Sequence, residues 1–501
     1  MNYKSSTVIF NLSPDRPNVL IFLIDSQGVD NLSCYGYYRR TSPNIDKIAK
    51  DGVVFLNNFS PCVWTPPSHA SLFTGRYLSG HQLLTLGGTN SVLSEEIPTI
   101  AEALNAIGYK TAAFSVNYLI ANLLRHKHVE IIKYPTSYPL IIKRGKTLAK
   151  ELFEEVEEPE GIDKGSLYTV NRVIDWIEKN YDGRTPFYIF VNVVEPHHPY
   201  WAGEPFRSRF LPPGVTEERA KKTPQMSGEG LWRKEYPWFG PFAARSGVAP
   251  DGEFGYPRSP EDWLIIKALL DGETAQVDHR VGLLIDYLRE KGIYDDTIII
   301  ITSDHHDILW EHKGETLPNG RIIPTGHMDV YDPNIHVPLI VKGYPEHFPP
   351  GTRVKNLTSL VDIFPTLIEV LQIEDKRIKK SVQGYSLLSA LQEEPPRKFI
   401  IAEGWWPLTG FYYKSWFKAY RDLKYKYIWR GPTGEEELYD IVNDPYEQEN
   451  LILKMPEKGM ELKKKMEKFL LSIEIPPIRL KRAALNYLIA WGWHRKIIPE
   501  D

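Results

Sequence analysis

Several runs in this chain are almost purely apolar, short, and stopped abruptly by a polar or charged residue. NVLIFLID ends at Asp25 and TIIIITSD at Asp304; KTAAFSVN, PFYIFVNVVEP and HVPLIVKG have the same character. A strand with one wet face alternates apolar and polar positions, whereas a strand covered on both faces does not. Helix-like segments separate these runs: SPNIDKIAKDG, with Ser42 as N-cap before Pro43, TIAEALNAIGY, and LIIKALLDGETAQVDHRVGLLIDYLREKG with its glycine stop. The pattern predicts an α/β fold, a doubly wound, mostly parallel sheet flanked by helices, over residues 15–375.

A chain of 501 residues exceeds what one hydrophobic core usually supports. The rhythm breaks over about 202–262, a stretch rich in Pro, Gly and aromatics that reads as an insertion over the sheet. It changes again after about 380. WFKAYRDLKYKYIWRGPTGEEELYDI reads as antiparallel strands around a Gly-Pro turn, and MELKKKMEKFLLSI as a helix. A smaller C-terminal α+β subdomain is therefore expected over 380–501. Its last part, RLKRAALNYLIAWGWHRKII, is basic and aromatic and is expected to pack on the main domain, a membrane surface or neighbouring subunit being the alternative.

A net charge of −4 gives no global attraction to nucleic acid or anionic membrane, so anion chemistry must come from a local site. Two cysteines, Cys34 and Cys62, allow at most one bridge. The N-terminus lacks a signal-peptide pattern and no run approaches a membrane span, so a cytoplasmic protein is expected.

In open α/β sheets ligands sit beyond the carboxyl ends of the strands. Asp25 and Asp304 close two of the clearest buried runs, and His305 and His306 follow the second. One such aspartate suits a helix N-cap equally well; two, one followed by His, favour shared ligation of one divalent ion: Mn, Mg, Ca or Zn. The stretch VWTPPSHASLFTGR adds Thr65 at a helix start. Thr65 alone reads as an N-cap. On an ion shared with Asp25, Asp304 and His305 its hydroxyl would ionise as metal-bound water does, and the helix N-terminus would face an anionic ester. Asn117, closing KTAAFSVN, is a further candidate donor. His306 and His312 are read as structural.

These residues resemble the sulfatase family of the alkaline phosphatase superfamily over nearly the whole chain. TPPSHASLFTGR (65–76) resembles the signature C-x-P-S-R-x-x-L-x-T-G-R, with Thr65 at the nucleophile position and His69 and Arg76 at the two arginines. EPHHPY (195–200) resembles P-H-x-P-Y, which implies a substrate-facing His197. TSDH (302–305) resembles the metal motif, and GHMDVYDPNIHVPLIV places His327 at a substrate-binding position. EELYDIVNDPYEQENL is similar to the family's C-terminal signature.

The departures bear on the reaction. Members that cleave sulfate esters convert Cys or Ser to formylglycine, and oxidising the secondary alcohol of Thr65 would give a ketone instead. Cys62 lies three residues too early. Ser26 follows Asp25 where many members carry a second Asp. Threonine nucleophiles occur elsewhere in the superfamily, and Asp25, Thr65, Asp304 and His305 are similar to a single-metal set of that kind. Asp271 and Asp278 are not followed by His at the spacing a second metal requires. The resemblance thus implies a metal-dependent hydrolase of phosphate esters, phosphodiesters or phosphonate monoesters, with Thr65, His197 and His327 catalytic and His69, Asn117 and Arg76 binding a small anionic substrate. Sulfate ester hydrolysis, phospho-group transfer and an inactive binding protein are the alternatives, and self-association is compatible with all of them.

Overall fold

The computed structural model describes residues 16–83, 93–115, 117, 120, 130–133, 163–198, 200–225, 259–307, 315–316, 322–323, 329–405, 416–431 and 434–473. The apolar runs form strands: β1 Asn18–Ile24, β2 Val53–Phe59, β3 Lys110–Ser115, β4 Glu130–Lys133, β5 Phe187–Val193 and β6 Thr297–Thr302. A short hairpin, β7 Glu315–Thr316 and β8 Ile322–Ile323, precedes β9 Leu339–Lys342 and β10 Thr352–Ser359. The main sheet runs in the order β10-β2-β9-β6-β1-β5-β3-β4, with every pairing parallel except those of β9.

The missing alternation now has its cause. Along β1, Val19, Ile21 and Leu23 enter one core, and Leu20, Phe22 and Ile24 enter another on the opposite face. Helices α1 Pro43–Lys50, α2 Thr65–Thr74, α3 Ile100–Ala106, α4 Ser166–Asn180, α5 Pro260–Glu290 and α6 Ile363–Val370 supply the covers. Leu72, Ile100 and Phe364 lie in the first core; Ile48, Val173 and Leu284 lie in the second. Ser42 does stand at the N-cap of α1, but its hydroxyl donates to Asp46 and accepts from Ser33 N–H. The free N–H groups of Asn44 and Ile45 go instead to the Asp278 carboxylate of α5.

The described part of the inserted stretch, with the residues just before it, packs on α5. Tyr200 and Ala220 pack against Ile265, Ile266, Leu269 and Leu270 of α5, and the Arg207 guanidinium sits 4.5 Å over the Trp201 ring. The remainder of that stretch, the basic aromatic C-terminus, His312 and His327 lie outside the described residues. Neither cysteine is bridged. Among the described residues, no helix is long and apolar enough to cross a membrane.

A second, antiparallel sheet follows: β11 Ile400–Trp405, β12 Trp416–Arg421, β13 Tyr425–Arg430 and β14 Glu435–Asp440, paired in chain order. Helix α7, Pro456–Ser472, closes one face through Leu462, Met466 and Leu470. The other face, through Ile400, Phe417 and Ile428, packs on Phe59, Val63 and Trp64, the segment leading into α2. Glu403 N–H donates to Pro61 O at 2.9 Å. Beneath this contact the Glu403 carboxylate pairs with Lys418 and accepts from Ser79 N–H, all three residues being buried.

Removing one member of such a pair strands the other charge without water. Lys418→Met is expected to lower unfolding free energy by about 3–5 kcal/mol. Adding Glu403→Gln, which keeps an acceptor for Ser79, should restore about half of that loss on the same reasoning. Urea denaturation of both variants measures it; a double variant no more stable than the single one would contradict this account.

Candidate active site

Parallel pairing of β1 with β6 puts Leu23 opposite Thr302. Asp25 lies two residues beyond the first and Asp304 two beyond the second, so both carboxylates emerge level at one sheet edge. Asp25 N–H continues the ladder to Val193 O at 3.0 Å. The chain then turns at Ser26 in the left-handed region, φ 59°. Gln27 N–H reaches Ser303 Oγ at 2.9 Å, and His306 Nδ1 lies 2.8 Å from Ser26 O. The His306 ring packs so closely on Gly28 that a Cβ there would come within 2.4 Å of it, which makes glycine obligatory. His306 thus packs into the turn at Ser26 and Gly28.

Asp25, Asp304 and His305 form a buried group whose ligand atoms lie within 4.8 Å of one another. Burial, and then the neighbouring Asp304 charge, hold the Asp25 carboxyl well above the usual carboxylate range. Asp304 Oδ1 accepts from Ser26 N–H and His305 N–H, whereas Oδ2 is buried without a hydrogen-bond partner. Two buried acids, an orphaned oxygen and an imidazole make a donor set that suits a divalent cation.

Thr65, the first residue of α2, brings its Oγ1 to 3.2 Å from His305 Nε2. Trp64 before it is extended, and Pro66 and Pro67 fill the next helical positions, where the fixed proline φ suits a helix start. Prolines have no N–H. Of the first three helical residues only Thr65 keeps a backbone donor, so the helix end offers an anion much less than the sequence reading assumed.

His69, one turn on, is fully enclosed against Phe73 and Phe190. Its Nδ1 lies 2.8 Å from Thr65 O and 3.6 Å from Asp304 Oδ2, and burial pushes its pKa down. A carbonyl only accepts, so Nδ1 carries the hydrogen, and burial favours the neutral ring. It stands behind Thr65 as a support and is not an exposed cation for substrate. Arg76 is also not part of the cluster. It lies beyond the far end of α2, about 15 Å along the helix axis from Thr65, and its guanidinium donates to Gly80 O at 3.3 Å.

Asn117 does donate, but to Asp25 Oδ2 at 2.9 Å. His197, half-buried on the loop after β5, has its ring centroid 6.3 Å from that of His305. Its Nδ1 lies 2.9 Å from His198 O, while Lys164 Nζ donates to His197 O at 2.7 Å and lies 3.0 Å from Glu273. Next to it, His198 Nδ1 and the Tyr200 hydroxyl both meet Asp307 Oδ2. Sequence reasoning missed Lys164 and Asp307, which carry no motif, and it read Ser26 only as an absent acid.

A family model described as Sulfatase matches residues 17–373, and one described as N-sulphoglucosamine sulphohydrolase, C-terminal, matches residues 327–474. The chain is 24% identical to an Ulvan-active sulfatase of Formosa agariphila, over 90% of this chain and 80% of that protein. It is also 24% identical to the multifunctional alkaline phosphatase superfamily protein PehA of Trinickia caryophylli, over 76% of this chain and 78% of that protein. A phosphonate monoester hydrolase of Agrobacterium radiobacter has a similar fold, with TM-score 0.67, 22% identity, and coverage of 92% of this chain and 96% of that one.

The two acids considered for a second ion are engaged elsewhere. Asp271 binds the Tyr37 hydroxyl and the Arg39 guanidinium, and Asp278 caps α1. Burial drives Asp278 up to about 7, against the bonds from Ile45 and Asn44. An acid raised on folding contributes stability while protonated, below its unfolded pKa of about 4, and that contribution is lost as pH rises through 7. Asp278→Asn stays neutral and keeps an acceptor, so its stability should fall less between pH 5 and 8 than the parent's. Denaturation curves at the two pH values test this, and equal slopes would rule it out.

Proposed function

The chain belongs to the sulfatase family, and from that membership we propose that it is a hydrolase of phosphate esters, phosphodiesters and phosphonate monoesters included, acting through Thr65. One observation carries the reading: a threonine hydroxyl, which formylglycine chemistry cannot use, lies 3.2 Å from the imidazole of a buried two-carboxylate, one-histidine cluster.

Asp25, Asp304 and His305 would hold the cation, with Thr65 beside them. A divalent ion there supplies positive charge that lowers the pKa of an adjacent hydroxyl. Asn117 steadies Asp25, and His69 fixes the Thr65 carbonyl at the start of α2. The Thr65 hydroxyl gives up its proton to water and its oxygen attacks phosphorus, the new O–P bond forming as the bond to the leaving oxygen breaks. His197 delivers a proton to that leaving oxygen, a role suited to an imidazole near neutral pH. Water, giving a proton back to His197, then attacks the phosphorylated Thr65 and returns free threonine with the substrate's acid: phosphate from a monoester, a phosphate monoester from a diester, a phosphonate from a phosphonate monoester. Sulfate ester hydrolysis is the second reading, favoured by the names of relatives such as the Ulvan-active sulfatase and Arylsulfatase K of Xenopus laevis.

Thr65→Ala should reduce kcat/KM on the preferred substrate by at least about 10³-fold, as loss of other enzyme nucleophiles does. The assay compares aryl phosphate, phosphodiester, phosphonate and sulfate esters with Mn²⁺, Mg²⁺, Ca²⁺ or Zn²⁺ supplied. Full activity in Thr65→Ala would sink the mechanism; preference for the sulfate ester would select the second reading. His197→Ala should slow esters with poor leaving groups by about 10²–10⁴-fold and those with good leaving groups far less, a split visible in the leaving-group dependence of kcat.

A further inference from the structure

Ser26 touches every member of the cation cluster. Its N–H donates to Asp304 Oδ1 at 3.2 Å, its hydroxyl donates to Asp25 Oδ1 at 3.3 Å, and the same oxygen lies 3.4 Å from His305 Nδ1. The residue is buried, so these contacts are sheltered from water. Its backbone is strained to make the arrangement: φ of 59° is a left-handed conformation that a residue with a Cβ disfavours. That turn aims the N–H back at β6 rather than onward from β1.

The hydroxyl has one proton. Given to Asp25, it leaves only lone pairs for His305, whose Nδ1 must then carry the hydrogen. The Nε2 lone pair of that tautomer faces Thr65 Oγ1 at 3.2 Å, Asp304 Oδ2 at 3.5 Å and Asp25 Oδ1 at 3.6 Å. The opposite choice would place a hydrogen on Nε2, where a cation would have to sit, and would deprive Asp25 of its bond.

We propose that Ser26 is the positioning residue of the cation site: its hydroxyl selects the His305 tautomer that offers Nε2 as a ligand, and its N–H and hydroxyl orient the two carboxylates. The proposal rests on the reading that Asp25, Asp304 and His305 bind a divalent ion. Outer hydrogen bonds to metal-bound imidazoles generally fix both tautomer and ring direction, and their loss weakens binding about 10–100-fold.

Ser26→Gly separates the hydroxyl from the backbone, because glycine keeps the N–H and accepts the positive φ without strain. Metal-free protein is titrated calorimetrically with Mn²⁺ and with Zn²⁺. The parent should bind one ion, and Ser26→Gly should bind it about 10–100-fold more weakly while the melting temperature of the metal-free protein is retained. Nitrogen-15 NMR of the His305 ring should show the Nδ1–H tautomer in the metal-free parent and a mixture in the variant, a change that a merely structural role would not produce. Ser26→Ala serves the same comparison if the glycine variant does not fold. Equal affinity and an unchanged tautomer in the variant overturn the proposal alone. A parent that binds neither ion overturns the cation reading and the proposal with it.

Discussion

The site depends on one backbone constraint, the parallel register of β1 against β6. Strands that leave the sheet level with each other must place the residues just past their ends side by side. Here those residues are Asp25 and Asp304, both fully buried. Burial, and then the charge of the neighbouring acid, push the Asp25 carboxyl well above the usual carboxylate range. Each neighbouring feature answers that problem. Asn117 donates to one acid, Ser26 donates to both, and His305 stands between them.

Thr65 reaches this edge from a different direction, and its placement rests on the second sheet. Phe59, Val63 and Trp64, which lead into α2, are clamped by Ile400, Phe417 and Ile428. Two prolines then start the helix without backbone donors that would need partners. The C-terminal sheet therefore packs on the approach to Thr65 without contributing a group to the cluster.

Substituting His for Arg at position 69 illustrates how burial changes the meaning of a residue. A motif match places His69 at a cationic position. In the fold it is enclosed by Phe73 and Phe190, and desolvation pushes its pKa down. It acts on the Thr65 carbonyl, not on an anion. Arg76 carries the same lesson about distance: eleven residues of sequence that are mostly helix separate it from Thr65 by about 15 Å, so a shared motif does not make a shared site.

By itself the sequence determined the class of sheet, because runs such as NVLIFLI and TIIIIT tolerate only strands covered on both faces. It also marked Asp25, Asp304, His305 and Thr65, since a polar residue ending a buried strand or opening a helix is visible without coordinates. Two kinds of fact were decided only by tertiary structure. Which residues pair through long-range hydrogen bonds depends on register and on turns of a single residue. Ser26 therefore looked like a missing ligand until its left-handed backbone aimed it at Asp304 and His305. Which side chains are desolvated depends on what packs over them. That is why Ser42 and Asp278 exchanged the capping role expected of Ser42 alone, and why His69 became a neutral support. Local patterning specifies strand and helix because those bonds close within or between neighbouring segments. The chemistry of the site is specified by contacts as much as 279 residues apart, such as Ser26 with His305, and no local pattern encodes those.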